Sequence, residues 1–220
     1  MNNEKITVVI NTFKSEDIIR SCLNSIDPSV KVIVIENSNN NEFKSMLEND
    51  YSNVKCFLTG VNLGYARGNN FGLSKVKSQY ALILNPDAII HPGTLNNFLL
   101  SAKKFQDFSI MGPAKQDEYS KTDINENKND IFEVNKVKGF AMFLNLIQFK
   151  DIGFFDDNFF IYLEETDLCK RLKDERKKIY LNKKLLIDHS GGSSHNSSIN
   201  FEMELSRNWH WMWSKFYFNK

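Results

Sequence analysis

The chain has few cysteines, no long hydrophobic run, little net charge and no glycine-rich loop behind its first apolar run. Each lack removes a class of function. Cys22, Cys56 and Cys169 are too few and too scattered for a disulfide framework or a structural zinc site. All three fall in apolar patterns, as expected of buried thiols in a reducing cytoplasm. No apolar run approaches the roughly 18–20 residues that a membrane-spanning helix needs. The N-terminus enters a strand pattern directly, so no signal peptide is expected. A net charge of +1 provides no strong field to recruit nucleic acid. Asn11-Thr12-Phe13-Lys14-Ser15, just past the first apolar run, contains no glycine. That argues against a nucleotidyltransferase, which would usually carry a basic, glycine-rich loop there.

What remains is an ordinary globular composition, 41% hydrophobic and 25% charged over 220 residues. That length fits one large domain or two small ones with a sizeable core. Ile6 to Ile10, Val30 to Ile35, Val54 to Leu58 and Tyr80 to Leu84 are short, mostly β-branched or apolar runs, and read as buried strands. Helical spacing recurs between them, at Ile18, Ile19, Cys22, Leu23 and Ile26 and again at Phe43, Met46 and Leu47. Strands alternating with helices imply crossover connections and a mainly parallel sheet, so the fold class is α/β.

Two features in this half carry chemistry. Asn85-Pro86 ends the fourth run, and Asp87 stands just past the carboxyl end of that strand, where open parallel sheets bind ligands. A lone carboxylate there suits a magnesium or manganese ion shared with a substrate's phosphates, although Asn-Pro-Asp is also turn chemistry. Gly64, Gly68 and Gly72 share one face if their segment is helical, so the sheet or a ligand must approach that face closely. Asn62, Arg67, Asn69 and Asn70 interleave with them and suit phosphate or ribose.

Beyond Asp87, Leu95, Phe98, Leu99, Ala102 and Phe105 mark an amphipathic helix. Gln116 to Lys136 reads as a long polar surface loop, mobile over the acceptor side. Val137 to Leu144 is a strand, and an aromatic stretch from Phe154 to Tyr162 leads into a helix that opens with Glu164 and Glu165. Acids at a helix N-terminus are favoured by the dipole alone, so this pair needs context before it means catalysis. Ile179 to Leu181 and Leu185 to Ile187 are short strands, and His189 follows in a loop. From Glu202 the chain is an aromatic helix. Leu205, Trp209, Met212, Trp213 and Phe216 lie on one face, and Arg207, Lys215 and Lys220 supply positive charge. One face must pack on the domain, and Trp209 and Trp213 are expected inward, with Trp211 and Phe218 outward.

Taken in order, Val8 to Phe13, Glu36-Asn37-Ser38, Asn62 to Asn70, Asn85-Pro86-Asp87, Gly139 to Met142, Phe154-Phe155-Asp156, Phe159 to Leu172, and His189 with Gly192-Ser193 resemble the family 2 glycosyltransferases, especially their bacterial rhamnosyltransferase-like branch. The resemblance runs from about Ile6 to Ser193; any one motif is weak, and the ordered set is specific. It implies a single GT-A domain, with a nucleotide-sugar half over 1–90, an acceptor half over 91–200 and the C-terminal helix over 201–220. It further implies an inverting, Mg2+- or Mn2+-dependent sugar transfer from a nucleoside-diphosphate sugar to a glycan or lipid-linked acceptor, in polysaccharide synthesis. On the matching positions, Thr12, Glu36, Asn62, Arg67, Asn69 and Asn85 would serve the donor nucleotide, and Asp87 and His189 the metal. Glu165 would be the general base, with Glu164 as its support or its replacement. Three positions depart from the family pattern. Glu36 stands for its aspartate, Asn85 for the first acid of Asp-x-Asp, and Glu164-Glu165 for its Glu-Asp pair. The rival readings are a nucleotidyltransferase and a non-catalytic nucleotide-sugar or carbohydrate-binding relative. The resemblance also implies a cytoplasmic protein, held at the inner face of the membrane if the final helix binds lipid.

Overall fold

The computed structural model describes residues 5–114, 128–189 and 200–220. Four parallel strands form the first half of the central sheet: β1 (Ile6–Thr12), β2 (Lys31–Glu36), β3 (Val54–Leu58) and β4 (Tyr80–Leu84), in spatial order β3-β2-β1-β4. Their near-continuous apolar sequence follows from coverage on both faces. Val8 and Ile10 look into one core layer, with Phe43 and Leu47 of α2 (Asn41–Asp50). Val9, Ile33 and Ile35 look into the other, with Ala66 and Leu73 of α3 (Gly64–Leu73). The first crossover carries the short α1 (Ile19–Asn24), which buries Ile19, Cys22 and Leu23. All three cysteines are buried and unpaired, and burial pushes each thiol up to about 12.

The second half continues the same sheet as β8-β6-β9-β7. After the short β5 (Ala88–Ile90) come α4 (Thr94–Lys104), β6 (Phe108–Pro113), β7 (Ile131–Glu133) and β8 (Ala141–Asn145). These are followed by α5 (Glu164–Asp174), β9 (Lys178–Asn182), β10 (Ile187–His189) and α6 (Asn200–Phe218). β8 lies antiparallel to both β4 and β6, and β6 runs parallel to β9. Residues 116–127 of the expected Gln116–Lys136 loop lie outside the described residues. Its last part is not loop: Ile131–Glu133 pairs antiparallel with β9, and Phe132 is buried. Three residues with one buried apolar side chain are enough for an edge strand beside an existing sheet.

The glycine face of α3 meets protein. A Cβ at Gly72 would press on Val9 and Ile35, and one at Gly68 on Asn11. Gly64 begins the helix at φ +75, with the carbonyl oxygen of Phe160 where a Cβ would stand. The neighbouring Tyr65 amide donates to that oxygen at 2.6 Å. The sheet and the aromatic segment are therefore what approach this face. Gly64→Ala combines a left-handed backbone with a backbone clash. It should cost more than about 2 kcal/mol in urea unfolding, whereas a loss below about 0.5 kcal/mol would mean that the contact is soft.

Candidate active site

An open cleft lies at the carboxyl ends of β1, β2 and β4. It is lined by Asn11, Thr12, Phe13, Ser15, Asn37, Asn62, Gly64, Tyr65, Asn85, Pro86, Phe160, Ile161 and Arg207. Amides organise its floor. Asn11 donates to the Gly64 carbonyl at 2.9 Å and accepts from Asn37 Nδ2. Asn37 Oδ1 accepts from the Leu63 amide at 3.1 Å. Strand ends β1 and β2 thus hold the entrance of α3, while Asn62 Oδ1 accepts from the Gly64 amide at 3.0 Å.

Asp87 sits beside this cleft, where β4 has ended and β5 begins. It is 9% exposed, and neither carboxylate oxygen has a hydrogen-bond partner among the described residues. β10 pairs antiparallel with β5, setting His189 opposite Ala88, so that His189 Nε2 comes within 3.5 Å of Asp87 Oδ1. Asn85 Nδ2 is 3.4 Å from the same nitrogen, and the Phe140 ring stacks on the imidazole at 4.5 Å and 9°. The Phe140 carbonyl in turn accepts from the Asn85 amide at 2.9 Å. A buried carboxylate with bare oxygens is costly unless a cation completes it. Asp87, His189 and the neighbouring amide of Asn85 therefore fit a divalent ion that takes its other ligands from a substrate. Among the described residues no cluster of three His, Cys, Asp or Glu exists that would hold an ion by itself.

The acidic pair stands on the other flank. Tyr162 (φ 74) and Leu163 (φ 67) are both left-handed immediately before α5. This turn drives Glu164 inward, where it is 4% exposed with Oε2 unpartnered, and leaves Glu165 half-buried. Burial raises the Glu164 carboxyl well above its usual range, and the charge of Glu165 adds to the rise. Burial also raises Glu165, while the backbone amides at the helix start and Lys138 hold it back. Tyr65 links this flank to the cleft. Its hydroxyl donates to the Gly139 carbonyl at 2.5 Å, and a Cβ on Gly139 would stand 3.4 Å from that hydroxyl and 3.8 Å from Glu165.

The glycosyl transferase family 2 model matches residues 7–203. The chain belongs to that family. Low-salt glycan biosynthesis hexosyltransferase Agl10 of Haloferax volcanii is 24% identical over 196 residues, covering 78% of this chain and 62% of that protein. Rhamnosyltransferase WbbL of Escherichia coli K12 is 27% identical over 205 residues, covering 76% of each. Among solved structures, S. aureus TarS in complex with UDP-GlcNAc has a TM-score of 0.64 at 16% identity, over 81% of this chain and 56% of that one. GalNAc-T7 with UDP, GalNAc and Mn2+ has a TM-score of 0.68 at 13% identity, over 84% and 43%. These two show the fold, which is GT-A. The chain spans less than two thirds of Agl10 and of either solved chain.

Of the residues expected to serve the donor in this family 2 member, Thr12, Asn62 and Asn85 line the cleft. Glu36, Arg67 and Asn69 do not. Glu36 is fully buried. It accepts from the Ser38 amide and hydroxyl through Oε1 and from the Asn40 amide at 2.7 Å through Oε2, so both oxygens organise its own loop. The extra methylene of glutamate gives it that reach. Arg67 points outward, with Nε 3.9 Å from Asp157. Asn69 is buried and donates to the Tyr65 carbonyl at 2.9 Å. Asn11, Asn37, Tyr65 and Arg207 are cleft residues not among those expected. The two asparagines could have been picked out as the first polar residues past their strands. Arg207, far along the chain, carries no such signal.

The buried pair has a measurable consequence. Folding favours protonated Glu164, so its contribution is intact below the ordinary value of 4.5 and is lost as pH rises toward the elevated folded value. Glu164→Gln should therefore melt like the parent below that value and progressively higher above it, by about 2–4 °C for each kcal/mol recovered. A melting difference that is flat with pH would contradict the burial of a titrating carboxyl.

Proposed function

We propose that the chain is an inverting, metal-dependent glycosyltransferase. In this reading it moves a sugar from a nucleoside-diphosphate sugar to a hydroxyl of a glycan or lipid-linked acceptor in cell-surface polysaccharide synthesis. The observation that carries the reading is Asp87, a buried carboxylate with neither oxygen hydrogen-bonded among the described residues, at the strand end of a family 2 cleft. Names of relatives agree in kind: a hexosyltransferase and a rhamnosyltransferase. Residues 1–90 would form the donor half and 91–200 the acceptor half, with α6 completing the cleft. Thr12, Asn62 and Asn85 would face the nucleotide, and Asp87 and His189 would hold Mg2+ or Mn2+. That ion, when bound, would supply Lewis-acid neutralisation of the diphosphate.

The chain's own part is positioning and proton transfer. The acceptor oxygen attacks the anomeric carbon from the side opposite the diphosphate, the bond to the diphosphate oxygen breaks, and the hydroxyl proton passes to Glu165. Half-buried Glu165 is accessible to an acceptor, whereas Glu164 is sealed. Burial that raises its pKa makes Glu165 a stronger proton acceptor for such a transfer. The experiment is hydrolysis of UDP-, dTDP- and GDP-sugars with and without Mn2+, followed by transfer to an acceptor. Asp87→Ala should lose the Mn2+-dependent rate. Glu165→Gln should keep donor binding and lose transfer by about 100-fold or more. If Glu164→Gln is the more damaged of the two, the roles of the pair are reversed; if Mn2+ changes nothing, the metal reading falls.

The proposal extends to a peripheral site at an anionic bilayer. No helix among the described residues is long and apolar enough to cross a membrane. α6 docks through His210, Ser214 and Tyr217, with Ser214 Oγ donating to the Ile161 carbonyl at 2.9 Å. Its apolar stripe therefore faces out, contrary to the inward placement expected for Trp209 and Trp213. Leu205, Trp209, Met212, Trp213 and Phe216 are all exposed, from 43% at Trp213 to 68% at Phe216. The reason is Ser214: a small residue lets the helix approach the aromatic segment, and the bulky face is left to solvent. Tryptophans with exposed Lys215 and Lys220 suit the interface of an anionic membrane. The paired substitution Trp209→Ser and Met212→Ser should reduce co-sedimentation with phosphatidylglycerol vesicles at least about fivefold, and unchanged binding would remove the membrane role.

A further inference from the structure

Among the described residues that line the cleft, Arg207 is the only charged one. It is not lipid-facing charge, as its place among Lys215 and Lys220 in the sequence suggests. Residues 207, 210, 214 and 217 follow one another at spacings that put them on one helix face. That face is the docked one. His210 stacks on Phe160 at 4.2 Å and 16°, and Ser214 holds the Ile161 carbonyl. Phe160 and Ile161 are themselves cleft residues, so the contacts that seat α6 also carry Arg207 to the cleft. The guanidinium is close enough to Tyr162 to counter part of the rise that burial imposes on that phenol.

We propose that Arg207 binds the diphosphate of the donor. This rests on the reading of the cleft as a nucleoside-diphosphate-sugar site. A guanidinium presents two parallel donors to phosphate oxygens and stays charged at any working pH. The cleft's amides and hydroxyls can orient a nucleotide but cannot neutralise it. Asp87 adds negative charge, so an ion held there leaves much of a diphosphate's charge unbalanced, and among the described lining residues Arg207 is the one that carries the opposite charge. The positively charged side chain comes from a helix outside the central sheet. Donor affinity then depends on whether that helix is seated.

The test is calorimetric titration of UDP, dTDP and GDP, with Mn2+, into the full chain and into Arg207→Met and Arg207→Lys. For whichever diphosphate the parent binds, the Met variant should be weaker by about 10- to 100-fold, and the Lys variant should recover part of that loss. The loss should be larger for the diphosphate than for the matching monophosphate, and the parent's affinity should fall more steeply with salt than the Met variant's. Tryptophan emission, which reports on α6, should be unchanged in both variants. Equal affinity of parent and Met variant overturns the assignment of Arg207 and leaves the donor reading standing. Weakened binding accompanied by shifted tryptophan emission also overturns it, because the helix has then come away. If the parent binds none of the three nucleotides, the donor reading fails and the assignment fails with it.

Discussion

A carboxylate taken out of water without a hydrogen bond is an expensive thing for a fold to hold, by several kcal/mol per ion. Asp87 is such a group, and the architecture around it explains why it persists. β4 is buried on both sides along its whole length. Pro86 stops its ladder and turns the chain, so that Asp87 comes out at the mouth of the sheet rather than in solvent. A two-stranded ribbon of β5 and β10 then brings His189 back across about 100 residues of sequence to the same point. Among the described residues no donor hydrogen-bonds the carboxylate, and His189, 3.5 Å away, can itself take a metal. On the proposed reading this is local instability retained for binding, of the kind expected at functional sites.

The opposite wall depends on a second constraint, the meeting of α3 with the aromatic segment. Asn70 donates to the Phe155 carbonyl at 2.8 Å and accepts from the Phe155 amide at 3.1 Å. Arg171 of α5 reaches the carbonyls of Ile152 and Phe154, at 3.2 and 2.6 Å. The segment is thus pinned from both sides before it enters the left-handed turn at Tyr162 and Leu163. Such a turn is strained for side-chain-bearing residues and lasts only where its surroundings over-determine it. Its effect is to seal one glutamate and leave the next half-open, giving two carboxyls of one dipeptide different environments.

Much of this was legible in the sequence, for a physical reason. Strands covered on both faces must be apolar throughout, so Tyr80–Leu84 stands out with the same bounds in sequence and structure. Val54–Leu58, at the sheet edge with Lys55 exposed, keeps its bounds through its four other residues, all apolar. The place of Asp87 follows from strand, proline and turn alone. Short strands added at an edge carry no such requirement, and β7 hides at the end of a polar stretch. Hydrogen-bond partners are equally hidden. Nothing in the pattern says that Glu36 turns back on Ser38 and Asn40, or that Arg67 leaves the cleft for Asp157. Periodicity found the apolar stripe of α6 but not its direction, because one serine decides which face can come close. The same docking sends Arg207 inward, a consequence no spacing rule contains.

The central claim is that Asp87 is held at a cost that a cation removes, and thermal unfolding of Asp87→Asn addresses it most directly. Without metal or nucleotide, the variant should melt above the parent, since it removes a buried charge and keeps the shape. With Mn2+ and a nucleoside diphosphate at about 100 times the parent's Kd, the parent should gain about 2.7 kcal/mol and the variant little or nothing. A variant that melts below the parent when both are empty, yet gains as much from Mn2+ and nucleotide, would contradict the account.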